Sequence, residues 1–159
     1  MSVTSNVYSV SPALLRRLKK DNELLGFLFG DEETNDPEWK VPSFSFIDFE
    51  DTHRLVRLAG YPTLATLDFA NGNDDAWDYN GYDIQIATPA KVKKIANELA
   101  KVTLDELRAK GLENEFRTDR RSELLTADDY EGQFDEIKRT LAFFAAAAKV
   151  GNAVLASAA

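Results

Sequence analysis

The sequence predicts an α+β fold, a single domain over residues 1–159 with a small mixed sheet, packed helices and a long C-terminal helix. One observation is the polar–apolar alternation of residues 83–87, typical of a strand, directly before the helix start Thr88-Pro89. Another is the helical spacing of apolar residues over about 129–150, followed by a strand-like segment at 153–157. Strands and amphipathic helices each bury one face, so we expect the helices to pack on the sheet.

The segment after residue 82 contains the clearest local signals. Residues 83–87 alternate so that one face of the strand is expected to be buried. Thr88 is a good N-cap, and Pro89 suits the first helical position because its missing N–H costs nothing there. Thr103 and Glu106 match a capping box, which predicts a second, short helix.

The start of the chain resembles this segment. Val10-Ser11-Pro12 again combines a strand end, a cap and a proline, and a basic amphipathic helix follows to about Lys20. An internal duplication is one interpretation. The frequent use of Ser/Thr-Pro to start helices is the other, and we favour it.

An acidic loop is predicted at residues 31–42, after a mostly buried helical segment at 23–29 that Gly30 ends. Trp39 is the one large apolar residue of this loop. It either folds back onto its own domain, the alternative we favour, or is displayed as a binding residue.

Residues 48–60 predict a helix with acidic residues in its first turn, where the helix dipole favours negative charge. Residues 63–69 fit a strand or a short helix, and residues 71–82 form a loop rich in Gly, Asn and Asp. In the long last helix, the expected apolar stripe consists of Phe134, Ile137, Leu141, Phe144, Ala145 and Ala148.

Composition narrows the function classes. The chain has 27 acidic and 19 basic side chains, a formal net charge of -8 and no cysteine. Such a surface repels nucleic acid and anionic membranes and favours a basic protein partner. The chain start lacks the pattern of a signal peptide, and no apolar segment approaches membrane-spanning length. We therefore expect a cytoplasmic protein.

The layout resembles the YfbM-like family, a group of small bacterial proteins known as a domain of unknown function. The resemblance rests on the Ser11-Pro12 helix start, the acidic helix with Asp51 and His53, the segment 88–99 and the chain end at 151–155. It implies an α+β fold and no established reaction.

Two departures from the family pattern concern possible sites. Family members often have Trp-His and a second His in the acidic helix, where this chain has Thr52 before His53 and Val56 at the second position. Relatives also tend to have an Arg in the strand before Thr-Pro, where Gln85 and Ile86 stand here. The resemblance therefore carries over neither the His pair nor that arginine as a site.

Catalytic motifs are weak in this sequence. His53 is the only histidine, and no Gly-x-Ser-x-Gly or cysteine nucleophile occurs. An enzyme of unrecognised type would use His53 with Asp51. The alternative that we favour places His53 half-buried on an amphipathic helix. Enzyme activity is thus left open and not expected, and no cofactor is predicted.

Several carboxylates surround the Gly- and Asn-rich loop, and we name Asp74, Asp75 and Asp78 as binding candidates together with Trp77 and Trp39. The loop fails the EF-hand pattern, because placing Gly81 at the sixth position puts Ala76 first and Ala87 last. A solvated acidic loop is the interpretation we favour, and no metal site is predicted.

The sequence thus leaves two function classes. The favoured one is a non-catalytic acidic binding protein, such as a bacterial immunity-type inhibitor of a basic toxin or enzyme. The other is the enzyme that uses His53 with Asp51. The basic group Arg117, Arg120 and Arg121 lacks interleaved aromatic residues for base stacking apart from Phe116, which favours local salt bridges over nucleic-acid binding.

Overall fold

Five strands form one sheet in the computed structural model, which describes residues 5–46, 77–79, 82–103, 105–106, 109 and 130–158. The strands are β1 (Ser5–Val10), β2 (Ser43–Phe46), β3 (Trp77–Tyr79), β4 (Tyr82–Ala87) and β5 (Ala153–Ala158). Their spatial order is β2-β1-β5-β4-β3. The last strand of the chain therefore lies at the centre of the sheet.

Every pairing among the described strands is antiparallel, so this sheet is antiparallel rather than mixed. Between β4 and β5 the described residues include two long helices, α3 (Pro89–Leu99) and α4 (Tyr130–Lys149). Strand β5 starts at the end of the sheet where β4 stops, and Ala87 pairs with Val154. The α+β class is confirmed.

The predicted helix starts are confirmed. Helix α1 spans Pro12–Lys20, and the Ser11 hydroxyl accepts a hydrogen bond from the Leu14 amide at 3.1 Å. In α3 the Thr88 hydroxyl accepts from the Lys91 amide at 3.4 Å. Each cap satisfies one amide that the first helical turn leaves without a backbone partner.

The two similar strand–helix units flank β5. Both β1 and β4 pair antiparallel with β5, so they run parallel to each other on its two sides. Helix α1 packs on one face of the sheet and α3 on the other. The resemblance in sequence is therefore matched by equivalent places in the sheet, and both interpretations of it, the common Ser/Thr-Pro helix start that we favour and an internal duplication, stay untested.

The sheet has a hydrophobic core on each face. The first core lies under α3 and α4, and its buried residues are Val7, Ala87, Val92, Ile95, Leu99, Phe144, Ala147, Val154 and Ala156. The second lies under α1 and the short helix α2 (Leu25–Phe29), and it includes Leu14, Leu18, Leu25, Trp39, Ile84, Ile86 and Leu155. Residues 84–87 are consequently all buried, whereas the alternation predicted one buried face. Both faces of this inner strand are covered.

Helix α4 buries Ile137 and Phe144 of the predicted stripe, together with residues that the prediction left out. The buried residues are Glu136, Ile137, Thr140, Phe144 and Ala147, whereas Leu141 and Ala148 are half-buried and Ala145 is exposed. The Thr140 hydroxyl donates to the Glu136 carbonyl at 2.7 Å, which removes the cost of burying it. A purely apolar pattern thus missed Thr140, a polar residue of the inward face that is satisfied within the helix. The side chain of Phe134 lies outside the described residues.

The turns after α2 and α4 match expectation. Gly30 ends α2 with φ of 83°, and Gly151 follows α4 with φ of 72°, a conformation that favours glycine. The segment 23–29 is a 3₁₀ turn at Asn22–Leu24 continued by α2. The predictions for 48–69 and 112–128 lie outside the described residues. Among the described helices, none has the length and apolar character needed to cross a membrane.

Candidate functional site

The structure describes part of the predicted site. Trp39 is described in full, and the backbones of Trp77 and Asp78 form β3 without described side chains. The remaining candidates lie outside the described residues, and these are Asp51, His53, Asp74 and Asp75. Their roles stay predictions.

Trp39 folds back onto the domain, as the favoured alternative expected. It ends a 3₁₀ turn whose cap is Asp36, and the Asp36 carboxylate accepts from the Glu38 amide at 2.9 Å. The indole stacks on Phe27 with ring centroids 5.4 Å apart, and Trp39 is only 8% exposed. A binding role for Trp39 stays a prediction, with little of its surface left for a partner to contact.

A cation covers the indole of Trp39. The Arg17 guanidinium carbon lies 5.4 Å from the ring centroid, within the range of a cation–π contact. Arg17 also forms an ion pair with Glu38. The hydrogen bond to Glu38, and then its charge, raise the pKa of Arg17, so the guanidinium stays charged. Aromatic ring, arginine and carboxylate thus form one unit.

The acidic segment, residues 31–38, has five carboxylates and no basic residue. All five side chains are exposed, namely those of Asp31, Glu32, Glu33, Asp36 and Glu38. Within the described part of the chain, no cation pairs with Glu32 or Glu33. The segment therefore presents uncompensated negative charge to solvent.

Three half-buried aromatic residues lie beside the acidic segment and form the aromatic cluster: Tyr8, Phe29 and Tyr79. The Tyr8 and Phe29 ring centroids are 5.1 Å apart at an interplanar angle of 44°. Phe29 meets Tyr79 at 5.5 Å and 69°, an edge-to-face arrangement. Such geometries are favourable for aromatic pairs, so the cluster is a stable surface.

One hydrogen bond joins the aromatic cluster to the acidic segment. The Tyr79 hydroxyl donates to the Asp31 carboxylate at 3.0 Å, across 48 residues of sequence. Gly26 makes room for this hydroxyl, because a Cβ there would lie 3.0 Å from it. Burial, and second the charge of Asp31, raise the pKa of Tyr8. Asp31 therefore acts on both tyrosines.

Strand β3 links two stretches that the sequence suggested as separate candidates. Tyr79 directly follows Trp77 and Asp78, the end of the second acidic stretch, and its hydroxyl binds the start of the first. Tyr8, Phe29 and Tyr79 are not among the candidates that the sequence indicates, because no local pattern signals contacts between residues so far apart in the chain.

The described residues contain no group of three or more His, Cys, Asp or Glu side chains that could hold a metal ion. In that part of the chain, the site is therefore one of charged and aromatic surface rather than of coordination chemistry. Its available interactions are ion pairs, hydrogen bonds and cation–π contacts.

Comparison with known proteins identifies the family. The family described as "Domain of unknown function (DUF1877)" matches residues 1–157. Among solved structures, the fold is similar to that of YfbM from Escherichia coli, a protein of unknown function. The TM-score is 0.66 at 9% identity, and the match covers 98% of this chain and 99% of that one. No curated protein matches the chain. The YfbM-like resemblance is thereby confirmed, and the chain belongs to the DUF1877 family.

Proposed function

We propose that the protein is a non-catalytic binding protein whose acidic surface engages a basic protein, as an immunity-type inhibitor engages a toxin or enzyme. The observation that carries this proposal is the hydrogen bond from Tyr79 to Asp31. It connects the acidic segment to β3, so the acids of residues 31–38 begin beside that strand.

Charge supports a basic partner. A net charge of -8 attracts cationic proteins and speeds their encounter. The exposed acids Glu32 and Glu33 lie outside any ion pair among the described residues, so a partner need not first displace a salt bridge from them. The same charge disfavours nucleic acid and anionic membranes as ligands. We include a cytoplasmic location in the proposal, since the chain contains no cysteine, a composition compatible with a reducing compartment.

The test begins with the neighbouring genes, because an immunity gene lies beside its toxin gene. The purified neighbouring gene product is measured against this protein by surface plasmon resonance across a salt series. In the Glu33→Gln variant we expect slower association and a weaker salt dependence, since charges at an interface rim mainly steer encounter.

Asp135→Asn is the matched control, because Asp135 is an exposed acid on α4 and its loss changes the net charge equally. Its association rate is expected to stay near that of the wild type. If the two substitutions slowed association equally, the interaction would depend on net charge alone. That result would contradict a localised binding surface. No binding by any basic neighbouring gene product would contradict the immunity-type function.

The second acidic stretch has its own variants. Asp74→Asn, Asp75→Asn and Asp78→Asn combined should slow association, whereas Trp77→Ala should act chiefly on dissociation, as loss of an apolar anchor does. Unchanged association of the triple variant over the salt series would remove that stretch from the interface. The enzyme that uses His53 with Asp51 stays a prediction.

A further inference from the structure

We propose that the rings of Tyr8 and Phe29, together with the carboxylate of Asp31, form a binding site for an arginine side chain of the basic partner. This inference rests on the proposed function and specifies the chemistry that the acidic surface recognises. Tyr79 is a positioning residue, because it holds Asp31 by a hydrogen bond.

The protein itself contains a similar arrangement, in which an aromatic ring and a carboxylate hold an arginine. Arg17 lies over the Trp39 ring at 5.4 Å while Glu38 pairs with the same guanidinium. A ring and a carboxylate together hold the cation, since the ring face attracts positive charge and the carboxylate accepts its N–H groups. Glu38 belongs to the acidic segment, and Trp39 directly follows it.

The same components recur beside Asp31 without an internal cation. Tyr8 and Phe29 are half-buried, so part of each ring remains open to solvent. Among the described residues, the cations placed over aromatic rings are Arg17 and Arg139, and neither lies over Tyr8 or Phe29. Asp31 is exposed and accepts one hydrogen bond from Tyr79, which leaves acceptor capacity for a guanidinium.

One hydrogen bond places Asp31 beside the rings. Its carboxylate lies 3.0 Å from the Tyr79 hydroxyl, and Tyr79 contacts Phe29 at 5.5 Å between ring centroids. Its charge also contributes to the raised pKa of Tyr8, the other neighbour of Phe29. A cation bound near Asp31 therefore also meets aromatic surface.

Arginine fits this arrangement better than lysine. Its guanidinium is planar, so it stacks on a ring while its N–H groups reach a carboxylate in the same plane. A lysine ammonium is compact and strongly hydrated, so it loses more hydration on contact with a ring. The recognised feature is thus an arginine presented on the surface of the partner.

The experiment uses the full chain and a tri-arginine peptide blocked at both ends, titrated at constant ionic strength and followed by backbone amide NMR shifts. We expect the shifts to concentrate around Tyr8, at Phe29 to Glu32 and at Tyr79. The tri-lysine peptide should bind several-fold more weakly, and a tri-citrulline peptide, which keeps the planar group without the charge, should not bind measurably.

Asp31→Asn and Glu33→Gln form the matched pair, because each removes one negative charge from the same segment. The asparagine retains an oxygen that accepts from Tyr79, so the loop keeps its anchor. We expect Asp31→Asn to weaken tri-arginine binding about fivefold or more, and Glu33→Gln to weaken it less than about twofold.

The ring contribution is tested with Phe29→Leu, which leaves the charge unchanged and should weaken binding while keeping its salt dependence. A thermal melt verifies folding of each variant, and the arginine–lysine–citrulline comparison on the wild type needs no variant.

Equal tri-arginine and tri-lysine affinities, or equal effects of Asp31→Asn and Glu33→Gln, would overturn the arginine site. Both results leave general electrostatic attraction in place, so the proposed binding function would survive them. Conversely, an arginine site without any basic protein partner would contradict the proposed function alone.

Discussion

Asp31 illustrates how a single residue connects distant parts of this protein. It follows the turn that ends α2, yet its carboxylate accepts from Tyr79 on β3 and raises the pKa of Tyr8 on β1. Burial, and then the negative charge of Asp31, favour the protonated form of Tyr8, because a phenolate there would be poorly solvated and repelled. The consequence is measurable in alkali.

Folding stability should fall in alkali partly through Tyr8. Its folded pKa is raised above the usual 10.0, so the folded state keeps a proton that the unfolded state releases. The contribution is therefore fully present below about pH 10 and is lost as the pH rises through the folded pKa. Urea unfolding of the wild type and of Tyr8→Phe is measured below and above that pH. The difference between their free energies of unfolding should shrink only in alkali.

The Asp31→Asn variant provides the control for this cause. It should lower the pKa of Tyr8, visible as earlier appearance of phenolate absorbance in a pH titration. An unchanged titration would show that the Asp31 charge does not act on Tyr8.

Gln85 is a buried polar residue whose side chain is not fully hydrogen-bonded in the described structure. It is 1% exposed, and within the described part of the chain its amide oxygen has no hydrogen-bond partner. An unsatisfied buried acceptor costs free energy that an apolar side chain of similar size avoids. We therefore expect Gln85→Leu to raise the free energy of unfolding by about 1 kcal/mol in urea melts.

Gln85→Glu is the companion variant and should be strongly destabilising near neutral pH, because it buries a charge at the same place. If Gln85→Leu instead destabilised the protein, the result would mean that the Gln85 amide oxygen does accept a hydrogen bond in the folded protein.

At the scale of elements, α4 contributes Phe144, one of the largest fully buried side chains of the described structure, to the first core. Phe144 is 0% exposed and meets Phe143 edge to face at 5.6 Å. We expect Phe144→Ala to lower the free energy of unfolding by roughly 3–5 kcal/mol, through lost burial and a residual cavity. Urea unfolding measures the change.

Phe143→Ala serves as the comparison, since Phe143 is only half-buried at the neighbouring position. Its loss should be clearly smaller. A cost below about 1 kcal/mol for Phe144→Ala would mean that α4 turns another face to the sheet.

At the scale of the whole molecule, the order of the strands makes the chain end indispensable. Strand β5 is the last element, yet it pairs along its length with both β1 and β4. Four of its residues also fill the two cores, namely Ala153, Val154, Leu155 and Ala156. Without β5 the two halves of the sheet have no common neighbour.

We therefore expect a chain that ends at Asn152 to lose cooperative thermal unfolding, whereas single substitutions in the acidic segment leave it intact. Circular dichroism melts and amide NMR dispersion report the difference. Adding a synthetic peptide of residues 152–159 should restore part of the dispersion. A cooperative melt of the shortened chain alone would contradict the central role of β5.

The amino-acid sequence by itself determined the local structure. Ser11 and Thr88 cap their helices through amides three residues away, and Gly30 and Gly151 end theirs through their own conformation. These features depend on neighbours within one turn, so periodicity and residue type suffice to predict them. The α+β class followed from the same signals.

Only the tertiary structure decided which distant groups meet. It placed β5 between β1 and β4, turned Thr140 inward on α4 and brought Asp31 to Tyr79. No pattern within a short window specifies such contacts, because each results from the packing of whole elements against one another. The candidate site rests on contacts of this kind, which is why the sequence predicted an acidic loop at residues 31–42 but neither Asp31 as a binding residue nor the aromatic surface beside it.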